Sequence, residues 1–252
     1  MYRLQKRMKK ENIQLRELPW KDIYTKDKVS HDMGKVIPTM IVTWLPFAFY
    51  VMLPLIFTFP RQFLSDHFLN KQQLSEFQRK SLKLKFVQEQ KIWKLIQETF
   101  TPSPAVSPNS LSDNPVRECN GLEIQEVMRA RPLFEDQLSL DKLPRNHLVA
   151  LCKLHSLLTF LLPSPFLRKR LQGKCTVLQA IDFALRRDGT KELTERDLQK
   201  LCYQRVFPTS GVSSVTMQMC LASWLQTSEN LKDSEVSLYL HLSLFKTKSQ
   251  KG

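Results

Sequence analysis

The chain has 252 residues, 42% of them hydrophobic, an ordinary content for a folded protein with one sizeable core or two small ones. Lys and Arg number 38 against 24 acids, a formal net charge of +14. Residues 1–35 carry 10 basic and 5 acidic groups, residues 61–120 carry 9 and 6, and residues 121–252 carry 19 and 13, which excludes a single basic tail. Such a surface suits polyanions such as RNA, or acidic phospholipid headgroups; it equally suits a basic soluble protein with no specific partner. The five cysteines (Cys119, Cys152, Cys175, Cys202, Cys220) never form C-x-x-C and are odd in number. They read as reduced core thiols in a reducing compartment, not as a disulfide framework.

The amino-terminal "MYRLQKRMKKENIQLREL" is basic, but Glu11, Glu17 and the lack of Ser make it a poor organelle presequence. Any targeting segment is expected to precede this chain, or the chain to be a fragment or an alternative start. From Val36 to Phe59 no residue is charged. At the helical rise this stretch covers about 36 Å, more than the roughly 30 Å hydrocarbon layer. A soluble core helix of that length would carry a polar stripe, whereas only Thr39, Thr43 and Thr58 interrupt this one. The favoured reading is a membrane span. The alternatives are a buried core helix and a hairpin dipping into one leaflet, because Pro46 and Pro54 each remove a backbone hydrogen bond. Five Lys or Arg in residues 16–35 and four in residues 61–80 leave the orientation undecided.

Residues 70–100 predict a long amphipathic helix, with Phe86, Trp93, Ile96 and Phe100 at helical spacing and Lys83, Lys85, Lys91 and Lys94 between them. It is expected to pack on its own domain with a solvated basic face; the alternative is a juxtamembrane helix on acidic lipid. The "TPSPAVSPNSLSDNP" that follows is an extended linker, with a domain boundary near residue 120. Beyond it the pattern is helical. "LPRNHLVALCKLHSLLTFLL" predicts an apolar helix of about 18 residues stopped by Pro163 and Pro165. "PFLRKRLQ" begins another, Gly189 terminates a helix, and Thr194 caps "ERDLQKLCYQR" with Asp197 at the third helical position. "MQMCLASWLQ" and "SEVSLYLHLSLF" add two more, the last alternating enough to allow a strand. No period of 20–50 residues is visible.

The six glycines form neither a dinucleotide fingerprint nor a P-loop, and no G-x-S-x-G elbow is present. His147 and His155, eight apart, lie too far along one helix axis to share a metal and read as a surface and a semi-buried histidine. "ALRRDGTKELTE" has the spacing of a calcium loop, with Gly189 sixth and Glu195 twelfth, but Ala184 and Arg186 stand at the first and third positions. A helix–turn–helix junction is the better reading. A basic cluster remains: Arg168, Lys169, Arg170, Arg186, Arg187, Lys191, Lys200 and Arg205, interleaved with Asp182, Asp188, Glu192, Glu195 and Asp197. These are the candidate RNA-contacting residues, against a plain solvated face.

"LFEDQLSLDKLPRNHLVALCKL", "FLRKRLQ", "DGTKELTERDLQKLCYQR" and "LASWLQ", in that order, resemble the LETM domain family, the leucine-zipper, EF-hand-containing transmembrane proteins of mitochondria. "LPFAFYVMLPLIFTFPRQFLSDHF" resembles the family's membrane segment, so the likeness covers roughly residues 36–245 and is greatest to its short members. The resemblance implies an all-α chain: a basic juxtamembrane segment (1–35), one transmembrane helix (36–60), and an amphipathic helix that starts the domain (61–100). A linker (101–120), a helical 14-3-3-like ribosome-binding core (121–245) and a basic tail (246–252) follow. It implies the mitochondrial inner membrane with the domain in the matrix. The implied partners are the mitochondrial ribosome, through rRNA or ribosomal proteins, membrane lipid and a homo-oligomer. No cofactor, metal, small-molecule substrate or enzyme activity is expected. The alternatives are a subunit of a cation/proton exchange system and a soluble basic helical binding protein. The family's intramembrane acid and lysine correspond to Tyr50 and Thr58 here, which speaks against ion coupling. Its glycine after "CYQR" is Val206, and its glycine-containing turn after "ALCKL" becomes "LLPSP", so both junctions are expected to be reshaped.

Overall fold

The computed structural model describes residues 15–29, 50, 71–99, 119–159, 162–190 and 192–248. The expected span, Tyr50 apart, lies outside these residues, as do most of the linker, Lys191 and residues 249–252 of the tail. Among the described residues no helix is long and apolar enough to cross a membrane. The chain divides into two compact units, Met1–Lys80 and Ser81–Gly252.

In the first unit a 3-10 turn (Leu15–Glu17) leads to helical residues 20–29. Pro19 heads that helix, its carbonyl accepting from the Asp22 and Ile23 amides, and Leu18, Trp20 and Ile23 are buried. The long helix α1 (Lys71–Thr99) contains no Gly or Pro. Within the second unit it buries Leu82, Ile92, Trp93 and Ile96 and leaves Lys83, Lys91 and Lys94 exposed, as the amphipathic pattern predicts.

The second unit continues with strand β1 (Cys119–Leu122), then α2 (Ile124–Glu135), α3 (Arg145–Leu154), α4 (Ser164–Asp188), α5 (Glu195–Gln204), α6 (Ser214–Glu229) and α7 (Val236–His241). A 3-10 turn (Leu242–Phe245) joins α7 to β2 (Lys246–Lys248), which pairs antiparallel with β1. The "SEVSLYLHLSLF" stretch is therefore helix and 3-10 turn, and residues 246–248 of the expected tail form a strand. Gly121 lets β1 lie against α6. Its φ is +125°, and a Cβ there would stand 2.6 Å from Ser223 Oγ. The same hydroxyl accepts from the Leu122 amide at 2.7 Å, so strand and helix are bonded at the point of closest approach.

The predicted terminators are in place. Gly189 ends α4 at φ +83°, its amide bonding the Leu185 carbonyl at 3.0 Å. Thr194 caps α5, its hydroxyl accepting from the Asp197 amide at 3.3 Å. The 18-residue helix is corrected: α3 stops after ten residues. Ser156 turns left-handed at φ +59°, and the Leu157 amide reaches back to the Cys152 carbonyl at 2.7 Å. Pro165 lies in the first turn of α4.

The second unit also contains an internal repeat that the sequence pattern did not lead one to expect. Helices α3 and α5 each have ten residues and start fifty residues apart, at Arg145 and Glu195. Each ends in a left-handed residue, Ser156 (φ +59°) and Val206 (φ +63°), followed by an amide bonded back to a cysteine carbonyl: Leu157 to Cys152, Phe207 to Cys202. The next helices start at Ser164 and Ser214, again fifty apart. Leu148, Leu151 and Cys152 of the first pair are buried, as are Leu198, Leu201 and Cys202 of the second. One helix–turn–helix unit occurs twice.

Candidate functional site

The equivalent cap positions of the two units, His155 and Arg205, both send polar side chains inward. Arg205 is fully buried at the end of α5 and forms an ion pair with Asp182 of α4. It also donates to the Leu201 carbonyl at 2.9 Å and lies 5.7 Å from the Trp224 ring centroid. The second Asp182 oxygen accepts from Trp224 Nε1 at 2.9 Å and from the Tyr239 hydroxyl. Burial and the neighbouring carboxylate push the Tyr239 phenol well above its usual range. Arg205 therefore leaves the set of candidate RNA contacts: its charge is spent inside the core, joining α4, α5, α6 and α7.

The histidines are also corrected. His147 is buried, not on the surface, and its Nε2 lies 2.8 Å from His241 Nε2. His241 Nδ1 donates to the Ser237 carbonyl at 2.6 Å, which leaves its Nε2 as acceptor and makes His147 the donor. The contact requires a neutral His241, whose Nε2 must keep its lone pair to accept. Burial lowers His147 to about 4, and burial with the neighbouring His147 holds His241 well below its usual value. His155 is buried against the Leu240 carbonyl at 2.9 Å and lowered to about 3, chiefly by burial. No group of three His, Cys, Asp or Glu able to hold a metal occurs among the described residues, and Asp188 of the calcium-loop mimic pairs with Arg187 at 2.7 Å.

The remaining basic candidates do not form one patch. Arg168 to Arg170 open α4 and Arg186 and Arg187 close it, about 25 Å apart along the axis. Arg168 is half-buried and donates to the Leu140 and Leu143 carbonyls at 3.1 and 3.2 Å, and Arg170 donates to the Leu158 carbonyl at 3.1 Å. Arg186 donates to Leu225 O and Ser228 Oγ. Lys169, Arg170, Arg187 and Lys200 are exposed, Lys200 lying 3.4 Å from Asp197. Lys191 lies outside the described residues. Several of these arginines thus tie the loop ends of the repeated unit together, and Lys169 presents charge outward.

A further polar set joins α1 to the rest. Lys85 is buried, donating to the Tyr203 carbonyl at 3.1 Å with its ammonium 4.0 Å from the Tyr203 ring centroid. Burial, helped by Lys174 and Lys246, lowers it to about 7. Lys246 bonds Glu89 at 2.7 Å and the Val206 carbonyl at 2.6 Å. Sequence reasoning placed Lys85 on the solvated face; the signal it missed is that Lys85 lies seven residues before Ile92, on the same helix face.

Comparison with known proteins bears on this mostly helical arrangement. The family model described as "LETM1-like, RBD" matches residues 18–245. "LETM1 domain-containing protein 1" of Bos taurus is 29% identical over 246 residues, 95% of this chain and 67% of that protein. Its Homo sapiens and Xenopus tropicalis counterparts are each 28% identical over 246 residues, covering 67% and 69% of their lengths. No solved structure matches. The chain belongs to the LETM1-like RBD family.

Proposed function

We propose that this chain is a non-enzymatic, ribosome-binding protein of the mitochondrial inner membrane that supports mitochondrial protein biogenesis. In this reading the uncharged stretch from Val36 to Phe59 anchors it, and the helical domain engages the mitochondrial ribosome from the matrix side. The observation that carries the reading is the family match over residues 18–245, which takes in both the apolar stretch and the domain. The net charge of +14 and the exposed Lys169, Arg170, Arg187 and Lys200 support it, since rRNA phosphates reward such groups by counterion release. The test is sedimentation of the full chain, held in nanodiscs, with mitochondrial ribosomes at low and physiological salt. Co-sedimentation at about 50 mM salt that falls steeply by about 200 mM is expected, and Lys169→Glu with Lys200→Glu should weaken it. Equal recovery at both salt concentrations, or none at either, would overturn the proposal.

A further inference from the structure

The face of α1 turned away from the core is neither apolar nor simply charged. Leu84 and Val87 are 57% and 54% exposed, and Lys83, Lys91 and Lys94 stand exposed around them. At 100° per residue these five positions fall within one arc of about 100°, opposite Ile92 and Ile96. Between Lys83 and Lys94 the one acid, Glu89, is turned inward onto Lys246, and the exposed Glu98, one turn beyond Lys94, bounds the basic run. Helix α1 cannot roll over to present a different face, because Trp93 packs edge-on against Phe245 at 6.3 Å and Lys85 is fastened to Tyr203. It begins at Lys71, eleven residues after the Pro60 that closes the uncharged stretch.

We propose that Lys83, Leu84, Val87, Lys91 and Lys94 form an interfacial surface that lies on acidic phospholipid headgroups, the two apolar side chains entering the acyl boundary between the lysines. This rests on the anchored reading above and adds a second, lateral contact with the same membrane. Lipid is favoured over RNA because phosphates alone would use the lysines and leave Leu84 and Val87 without a role, whereas a bilayer interface takes both. Each lysine near an anionic surface strengthens attachment roughly fivefold, so the three together give on the order of a hundredfold.

The test places a nitroxide at Val87→Cys in the full chain, with Cys119→Ser, since Cys152, Cys175, Cys202 and Cys220 are buried. The chain is reconstituted in nanodiscs of phosphatidylcholine, with or without anionic phospholipid. With anionic lipid the label should collide more with oxygen than with a water-soluble nickel complex. That preference should reverse on pure phosphatidylcholine, and also when Lys83, Lys91 and Lys94 are changed to Glu. A label equally water-exposed on both compositions overturns the proposal; if the triple change then also abolishes ribosome sedimentation, the face binds RNA. A label equally shielded on both compositions overturns the charge-driven contact. A chain that never enters nanodiscs overturns the anchored reading and this one with it.

Discussion

Asp182 and Arg205 offer a sharp test of whether the basic residue of "CYQR" is structural. Asp182 accepts from Arg205, Trp224 and Tyr239, and both members of the ion pair are buried. Asp182→Asn keeps the volume and removes the charge, leaving a guanidinium buried without a counterion; such a change costs about 3–5 kcal/mol. Arg205→Met removes the other partner and the stack on Trp224, with a cost of the same order. The double variant removes both charges, so its cost should fall short of the sum by about 1–3 kcal/mol. The assay is equilibrium unfolding in urea followed by circular dichroism. With a slope of about 2 kcal/mol per molar urea, each single change should lower the midpoint by roughly 2 M. Single variants within about 0.5 kcal/mol of the parent, or strict additivity in the double, would refute the buried-pair account.

Four other outcomes follow from particular groups. His147 and His155 are lowered by burial to about 4 and about 3, and His241 also lies below its usual value. The unfolded chain therefore binds more protons than the folded one below about pH 6.5, so stability falls as pH drops, by up to about 1.4 kcal/mol per histidine per unit. A melting temperature constant between pH 7 and pH 5 would contradict neutral, buried rings. Lys85 is lowered to about 7 by burial, so its folded form also releases a proton that the unfolded form keeps. Stability should accordingly rise from pH 7 toward pH 9, and Lys85→Met should flatten that rise in thermal melts. Gly121→Ala forces a Cβ onto Ser223 at a φ of +125° and should cost about 3 kcal/mol, seen as a melting temperature about 6–12 °C lower. Val206→Gly should be nearly neutral in urea midpoint, within about 1 kcal/mol, since relief at φ +63° offsets the lost burial; a loss above about 3 kcal/mol would show that no strain is stored there.

What could be read directly was local. Thr194 and Gly189 act through their own backbone neighbourhoods, and α1 announces itself by twenty-nine residues without a breaker. The end of α3 was hidden because the apolar run continues through "LLTFLL" and the left-handed residue is Ser156, not a glycine. The second junction has a left-handed backbone at Val206, a conformation of the kind glycine favours. His147 looked superficial because its partner, His241, is 94 residues away. Arg205 looked like a surface charge among acids. Its partner was nevertheless in plain sight: Asp182 interrupts the buried stripe of Leu178, Ile181 and Leu185, a position where a carboxylate needs an internal counterion. The repeated unit escaped notice because few of its paired positions match, Leu148 with Leu198, Leu151 with Leu201 and Cys152 with Cys202 among them. Of the proposed surface, the lysines of α1 were legible and the exposure of Leu84 and Val87 was not.

The stretch from Val236 to Lys248 behaves as a clasp. Ser237 bonds the Leu138 carbonyl, Tyr239 reaches Asp182, His241 meets His147, Phe245 meets Trp93, and Lys246 holds Glu89. Helices α1, α2, α3, α4 and α6 each touch something in these thirteen residues. During synthesis they emerge after everything they fasten, so a half-made chain must carry open grooves and an Asp182 still lacking its Tyr239 bond until residues 236–248 arrive. Such late closure makes maturation an all-or-none event and leaves the nascent domain exposed to wrong partners for most of its elongation.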